Sequence, residues 1–210
     1  MPDTVALTFD DGPNPDATRR LLELLGHHGV AATFFVWGEL AQRHPDVVRE
    51  VLDGGHSVQP HCWAHVSHWT LTPAAIRADI DAVSALLAHV GGPPATLWRP
   101  PYGQTLAGAT TAIAAERGLE LAGWTINTHD YAGAGAKTMY AEVSGALAAE
   151  ERSVVLLHDG HRESGRRKRR PDATNTVELV AMLLEDDALA FTTMSGGLEE
   201  CLTDGPPERA

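Results

Sequence analysis

The groups in this 210-residue chain that could do chemistry are carboxylates, imidazoles and one guanidinium, each placed just after an apolar run. Residues 5–9 read as a buried strand. It stops on two adjacent carboxylates, Asp10 and Asp11, followed by the turn signal Gly12-Pro13. Two carboxylates at a strand mouth repel each other, and one metal ion would satisfy both; turn initiation is the plainer use of Asp there. His61 and His65 are four residues apart. In a helical turn both rings would face one way, which suits two ligands on one ion. Two histidines and one carboxylate leave positions open for water and substrate. That donor set fits Zn2+ first, with Co2+, Ni2+ or Mn2+ as alternatives.

Other strand ends carry groups of the same kind: Arg99-Pro100-Pro101-Tyr102-Gly103, Asn127-Thr128-His129-Asp130-Tyr131 and His158-Asp159. In a parallel barrel such ends share one face, where chemistry is done. Scattered surface charge would not segregate in this way. Plainer readings stand beside these: Arg99 as a structural salt bridge, Tyr102 as a turn residue, Leu156 as core. His27, His28, His44 and His89 are expected at the surface, and His56, His68, His129 and His161 receive no role.

The elements that must position these groups alternate strand and helix. Strands are expected over 5–9, 32–36, 56–59, 95–98, 119–126, 153–157 and 189–194. Helices are expected from Asp16 or Thr18 as cap to His28, from Pro45 to the Gly54-Gly55 stop, from Thr72-Pro73 to Val90, and over 106–117 and 138–149. Thr174 would cap a last one to Glu185. Seven strand–helix alternations without a composition break predict one domain, 1–210. Its fold class is α/β, most simply a parallel sheet closed into a (β/α)7-type barrel. A chain this long buries about 70% of the surface its unfolded form exposes, so it needs no staples.

Lys+Arg 16 against Asp+Glu 28 gives a net charge of −12, which argues against nucleic-acid or anionic-membrane partners. The two cysteines, Cys62 and Cys201, form no disulfide framework. No leader or membrane span is visible, so a complete chain is expected in the cytoplasm as a monomer; in a longer one, the extracellular space or cell envelope is the expectation. The basic run Arg166-Arg167-Lys168-Arg169-Arg170 reads as a solvated loop, or as an attractive patch for an anionic substrate group.

Thr8-Phe9-Asp10-Asp11-Gly12-Pro13, His61-x-x-x-His65, Arg99-Pro100-Pro101-Tyr102-Gly103 and Leu156-Leu157-His158-Asp159, in this order, resemble the polysaccharide deacetylase family, the NodB-homology group of carbohydrate esterase family 4. The resemblance spans about residues 5–194. It implies a distorted NodB-like (β/α) barrel and metal-dependent removal of acetyl groups from N- or O-acetylated sugars. It also implies roles: Asp11, His61 and His65 as metal ligands, Asp10 as general base and Arg99 as its positioner. The Tyr102 backbone N–H would hold the oxyanion, Leu156 would line the acetyl pocket, and His158 would be the general acid oriented by Asp130. Tyr131 and Trp63 would line the substrate groove. The departures are Pro60 where Asn is usual before the first metal histidine, Cys62 after it, Tyr131 in place of a Trp, and Asn127 where an acid is frequent. They touch the groove wall, and so bear on the substrate: a chitooligosaccharide, peptidoglycan or related acetamido sugar. The alternatives are a small acetylated metabolite or nucleotide-linked sugar, an O-acetyl ester such as acetyl-xylan, or a catalytically silent carbohydrate-binding module.

Overall fold

The computed structural model of the protein describes residues 3–148, 152–160, 173–194, 196 and 202–204. The basic run 166–170, His161 and Cys201 lie outside them. In chain order the elements are β1 (Asp3–Asp10), α1 (Pro15–His28), β2 (Thr33–Trp37), α2 (Gly38–Arg43), α3 (Pro45–Asp53), β3 (Ser57–Cys62), α4 (Pro73–His89), β4 (Leu97–Trp98), β5 (Gln104–Thr105), α5 (Ala109–Glu116), β6 (Glu120–Leu121), β7 (Ile126–Asn127), α6 (Ala136–Leu147), β8 (Arg152–His158), α7 (Thr174–Leu184), β9 (Leu189–Thr192) and β10 (Thr203–Asp204).

β1 is the spine. β8 pairs with it from Thr4–Arg152 to Asp10–His158. The other edge of β1 takes β9 along its first half and β2 along its second. The sheet runs β3-β2-β1-β8-β7, and every pairing in it is parallel, as the alternation predicts. β1 is flanked on both faces, which explains its continuous apolar run. Val5, Leu7 and Phe9 join the large cluster with the helices, where Leu21, Leu25, Ile76, Ile80, Leu179 and Leu183 are all fully buried. Phe9 stacks on Phe34 there at 4.9 Å. Ala6 belongs to a second, small cluster with Phe35, Leu97, Ala122 and Met194 on the opposite face.

The barrel is distorted where side chains stand in for a ladder. β4 pairs only with β6, and β5 only with β10, among the described residues. The seam between β3 and β4 is held by Gln59, whose Oε1 accepts the N–H groups of Thr96 and Leu97 at 3.0 Å each, and by Arg99 N–H to the Pro60 carbonyl at 3.4 Å. The strand expected over 119–126 is split into β6 and β7. The Ala122 and Gly123 carbonyls between them turn to the Arg99 guanidinium, at 3.3 and 2.7 Å, instead of continuing a ladder.

Several boundaries differ from expectation for local reasons. Asn14 caps α1, accepting from Asp16 and Ala17 N–H, and Thr18 closes the same turn from inside the helix by accepting Asn14 N–H at 2.8 Å. Thr174 lies inside α7, with Ala173 at the cap position. α2 was not expected, its six residues being too few to show a period. β3 runs on through Pro60 to Cys62, so His61 belongs to the strand and the turn from it to His65 is not helical. No helix among the described residues is long and apolar enough to cross a membrane.

Two glycines lock the ends of β1 and β8 together. A Cβ on Gly12 would land on the Asp159 carboxylate, and one on Gly160 on the Asp11 carbonyl. Gly160→Ala therefore forces the two strand ends apart and is expected to lower stability by about 1–3 kcal/mol or more. Gly145→Ala, exposed inside α6 with open space around it, is expected to raise stability by about 0.5–1 kcal/mol. Urea midpoints of the two variants check the contrast.

Candidate metal centre

The in-register pairing of β1 and β8 places Thr8 beside Leu156 and Asp10 beside His158, and the period of two puts all four on one face. Above the small apolar cluster on that face lies Arg99, fully buried. Its Nη1 donates to Asp10 Oδ1 and to Thr8 Oγ1, both at 2.8 Å. Its remaining donors go to the Ala122 and Gly123 carbonyls, and its guanidinium stacks 4.2 Å over Phe35. A guanidinium survives such burial because its fork is filled and a carboxylate sits beside it. Burial presses the Arg99 pKa down, and Asp10 opposes that.

Asp11 turns away from Asp10 because its backbone is left-handed, φ 69°, a conformation Asp tolerates better than most residues. Its Oδ1 lies 3.3 Å from His61 Nε2 and 3.0 Å from His65 Nε2. His61 Nδ1–H donates to the Arg99 carbonyl at 2.7 Å, which leaves the Nε2 lone pair facing Asp11. Asp11 Oδ1 is buried and has no hydrogen-bond partner among the described residues. Three electron-rich ligand atoms thus converge within 4.8 Å of one another. Burial pushes the Asp11 carboxyl up, yet the two imidazoles hold it well below the ordinary value; burial pushes His61 down, yet Asp10 and Asp11 raise it. The first shift keeps Asp11 ionised and the second favours positive charge beside it, and the donor set fits a divalent ion.

Opposite stands His158. Its Nδ1–H donates to Asp130 Oδ1 at 2.7 Å, and its backbone N–H to Oδ2 at 2.8 Å. Burial alone would lower its pKa, but Asp130, with help from Asp11 and Asp10, raises it to about 9. Thr176 on α7 gives Asp130 Oδ2 a further hydrogen bond at 2.9 Å. Tyr131 stands edge-on to His158 at 5.3 Å, with its hydroxyl hydrogen-bonded to His129 Nδ1 at 2.9 Å. Tyr102 stands edge-on to His65 at 4.5 Å. The three non-glycine residues with positive φ among the described ones are Asp11, Tyr102 and His129, so the backbone strain collects here.

The structure therefore brings Asp10, Asp11, His61, His65, Arg99, Tyr102, Asp130, Tyr131, Leu156 and His158 into one connected group. Trp63 is placed differently: its ring packs against Gly38 and the helical cluster. His56 and His68 are structural, accepting from Ala32 N–H and bonding Thr110; burial pushes the His68 pKa to about 4. Asp79 and Thr176 escaped sequence reasoning, and Thr18 and Asp159 were named there without the bond that joins them. Asp159 is fully buried beneath the Asp10–Gly12 turn, accepting from the Thr18 hydroxyl at 2.5 Å, and burial raises its pKa to about 7. Three of the four carried a readable signal. Thr18, Asp79 and Thr176 each interrupt the apolar stripe of a helix, at i−3 from Leu21, i+3 from Ile76 and i−3 from Leu179.

The sequence matches the family model described as Polysaccharide deacetylase over residues 1–122. A chitooligosaccharide deacetylase from Bradyrhizobium sp. is 33% identical over 183 residues, 86% of this chain and 81% of that protein. A peptidoglycan-N-acetylglucosamine deacetylase from Bacillus cereus is 33% identical over 154 residues, 73% of this chain and 55% of that protein, so the chain spans about half the length of that relative. Among solved structures, a family 4 carbohydrate esterase from Streptomyces lividans in complex with acetate has a TM-score of 0.77 at 30% identity, over 92% of this chain and 93% of that one.

The His158–Asp130 pair sets a pH dependence. His158 is expected to titrate at about 9 by NMR, and to fall in Asp130→Asn, where only Asp11 and Asp10 still oppose burial. A raised folded pKa gives stability that is complete below 6.5 and lost as pH rises through about 9. Denaturation curves of the parent should show that decline, and those of Asp130→Asn should show it weakened and moved to lower pH.

Proposed function

The chain belongs to the polysaccharide deacetylase family, and from that membership we propose that it hydrolyses the acetamide of an N-acetylated sugar at a single divalent ion. One observation carries the reading. The in-register β1–β8 pair sets a carboxylate held by a buried arginine opposite a cationic histidine, with the Asp11-His61-His65 ligand group beside them.

In this reading Asp11, His61 and His65 hold the ion, with Zn2+ first and Co2+, Ni2+ or Mn2+ as alternatives. When bound, such an ion supplies an acidified water and polarises the acetyl carbonyl. Asp10 is the general base. Arg99 fixes its Oδ1, and its other oxygen has no hydrogen-bond partner among the described residues. His158 is the general acid: with Nδ1–H committed to Asp130, Nε2 carries the proton that the departing nitrogen requires. The Tyr102 N–H is assigned to the oxyanion and buried Leu156, beside Thr8, to the acetyl methyl.

The substrate proposed is an acetamido sugar within a glycan, in line with the chitooligosaccharide and peptidoglycan-N-acetylglucosamine enzymes that the chain resembles. The exposed large apolar side chains among the described residues support this. Val66, Trp69, Tyr102 and Tyr131 all lie in loops that follow strands at the site end, where aromatic faces can stack on sugar rings. Residues 1–210 are proposed to form a single catalytic domain that acts as a monomer.

Asp10 and Asp11 are expected to fail differently. Asp11→Ala loses the ion, whereas Asp10→Asn keeps it and loses about 10²–10⁴-fold in turnover. Metal content and acetate release on chitooligosaccharides and peptidoglycan fragments check this; a metal-free Asp10→Asn with a loaded Asp11→Ala would swap the roles. Chelation should abolish acetate release while far-UV dichroism and a cooperative thermal transition persist, because the apolar clusters do not depend on the ion.

A further inference from the structure

We propose that Asp79 is a positioning residue for the metal centre: by binding the backbone between the two histidines, it aims His65 at Asp11. The proposal rests on the reading of Asp11, His61 and His65 as metal ligands.

The two histidines reach their places by different means. His61 lies in β3 and is held at both ring nitrogens, with Nδ1–H on the Arg99 carbonyl and Nε2 facing Asp11. His65 lies beyond the strand in a segment without helical hydrogen bonding. Its Nδ1 is buried and has no hydrogen-bond partner among the described residues. Metal-bound histidines ordinarily donate their second nitrogen to a group that fixes the ring. At His65 that device is missing, so the ring is set by its packing against Tyr102 and Trp37 and by the course of the backbone that delivers it there.

That course is set from two helices. Asp79 Oδ2 accepts Trp63 N–H at 2.7 Å and Oδ1 accepts Ala64 N–H at 3.1 Å, so one carboxylate clamps two consecutive amides. On the other side, Glu39 N–H of α2 donates to the Trp63 carbonyl at 3.1 Å, and the Trp63 ring packs over Gly38. Asp79 cannot drift. It stands half-buried beside the inner stripe of α4, formed by Ile76, Ile80 and Val83, each fully buried. Four-residue histidine spacing would bring the rings together by itself in a helix. Here the turn is not helical, and the clamp does the same work, with the ring centroids 5.1 Å apart.

The test uses the full chain and Co2+, whose visible absorption reports coordination and whose affinity is read by competition with a chromophoric chelator. Asp79→Ala is expected to weaken Co2+ binding by about 10–100-fold, the effect of losing an outer-shell partner, and to change the visible band as His65 loosens. Asp79→Asn keeps one acceptor oxygen and should fall between it and the parent; it also serves if Asp79→Ala fails to fold. Asp81→Ala removes an exposed acid of the same helix, paired with Arg117, and should bind like the parent. Equal affinity and an unchanged band in both Asp79 variants would overturn the proposal, and so would an equal loss in Asp81→Ala. A parent that takes up no Co2+ would instead overturn the metal reading itself.

Discussion

The ion pair between Arg99 and Asp10 is the contact on which the rest of the site depends. A guanidinium with no solvent exposure must have every donor filled and a counter-charge at hand, and breaking such a pair from one side costs about 3–5 kcal/mol. Meeting that demand shapes the neighbourhood. Two carbonyls leave the sheet between β6 and β7, Thr8 spends its hydroxyl between Arg99 and the Val155 carbonyl, and Phe35 lies flat beneath the cation. The same residue acts at both ends: its side chain fixes Asp10 while its own carbonyl fixes His61. The proposed base and one proposed metal ligand are therefore placed by one residue.

Around that pair the electrostatics are lopsided by design. Asp10, Asp11, Asp130 and Asp159 crowd one end of the sheet, against one arginine and a histidine that carries charge up to about pH 9. The excess of negative charge is what a divalent cation would relieve. It also explains why His158 keeps its proton at neutral pH despite burial.

Much of this was legible in the sequence. Apolar runs that ended on ionisable residues named the strands and the face that carries chemistry, because parallel pairing allows loops of that kind only at one end. The alternation of elements gave the parallel α/β fold. What escaped was whatever depends on side chains replacing regular structure. The split of β6 from β7 follows from Arg99, the seam at Gln59 from a side-chain amide, and the non-helical turn before His65 from Asp79, and none of these leaves a periodic trace. The polar residues that brace the site did leave one. Thr18 and Thr176 stand on the buried stripe of a helix and half-buried Asp79 beside one, where a polar group must find a partner. Reading those breaks as hooks requires knowing that each helix begins beside the loops it holds.

The pairing of β1 with β8 joins segments far apart in sequence, Thr8 with Leu156 and Asp10 with His158. The two halves of the site are therefore separated in time as well as in space. Asp11, His61, His65 and the carbonyl that orients His61 have all been synthesised once residue 99 is added. His158 and the Thr176 that braces its partner have not. At ordinary rates of synthesis the gap is about ten seconds. For that interval the nascent chain carries its ligand group without its proton donor, and an unpaired β1 edge that only its own late strand matches.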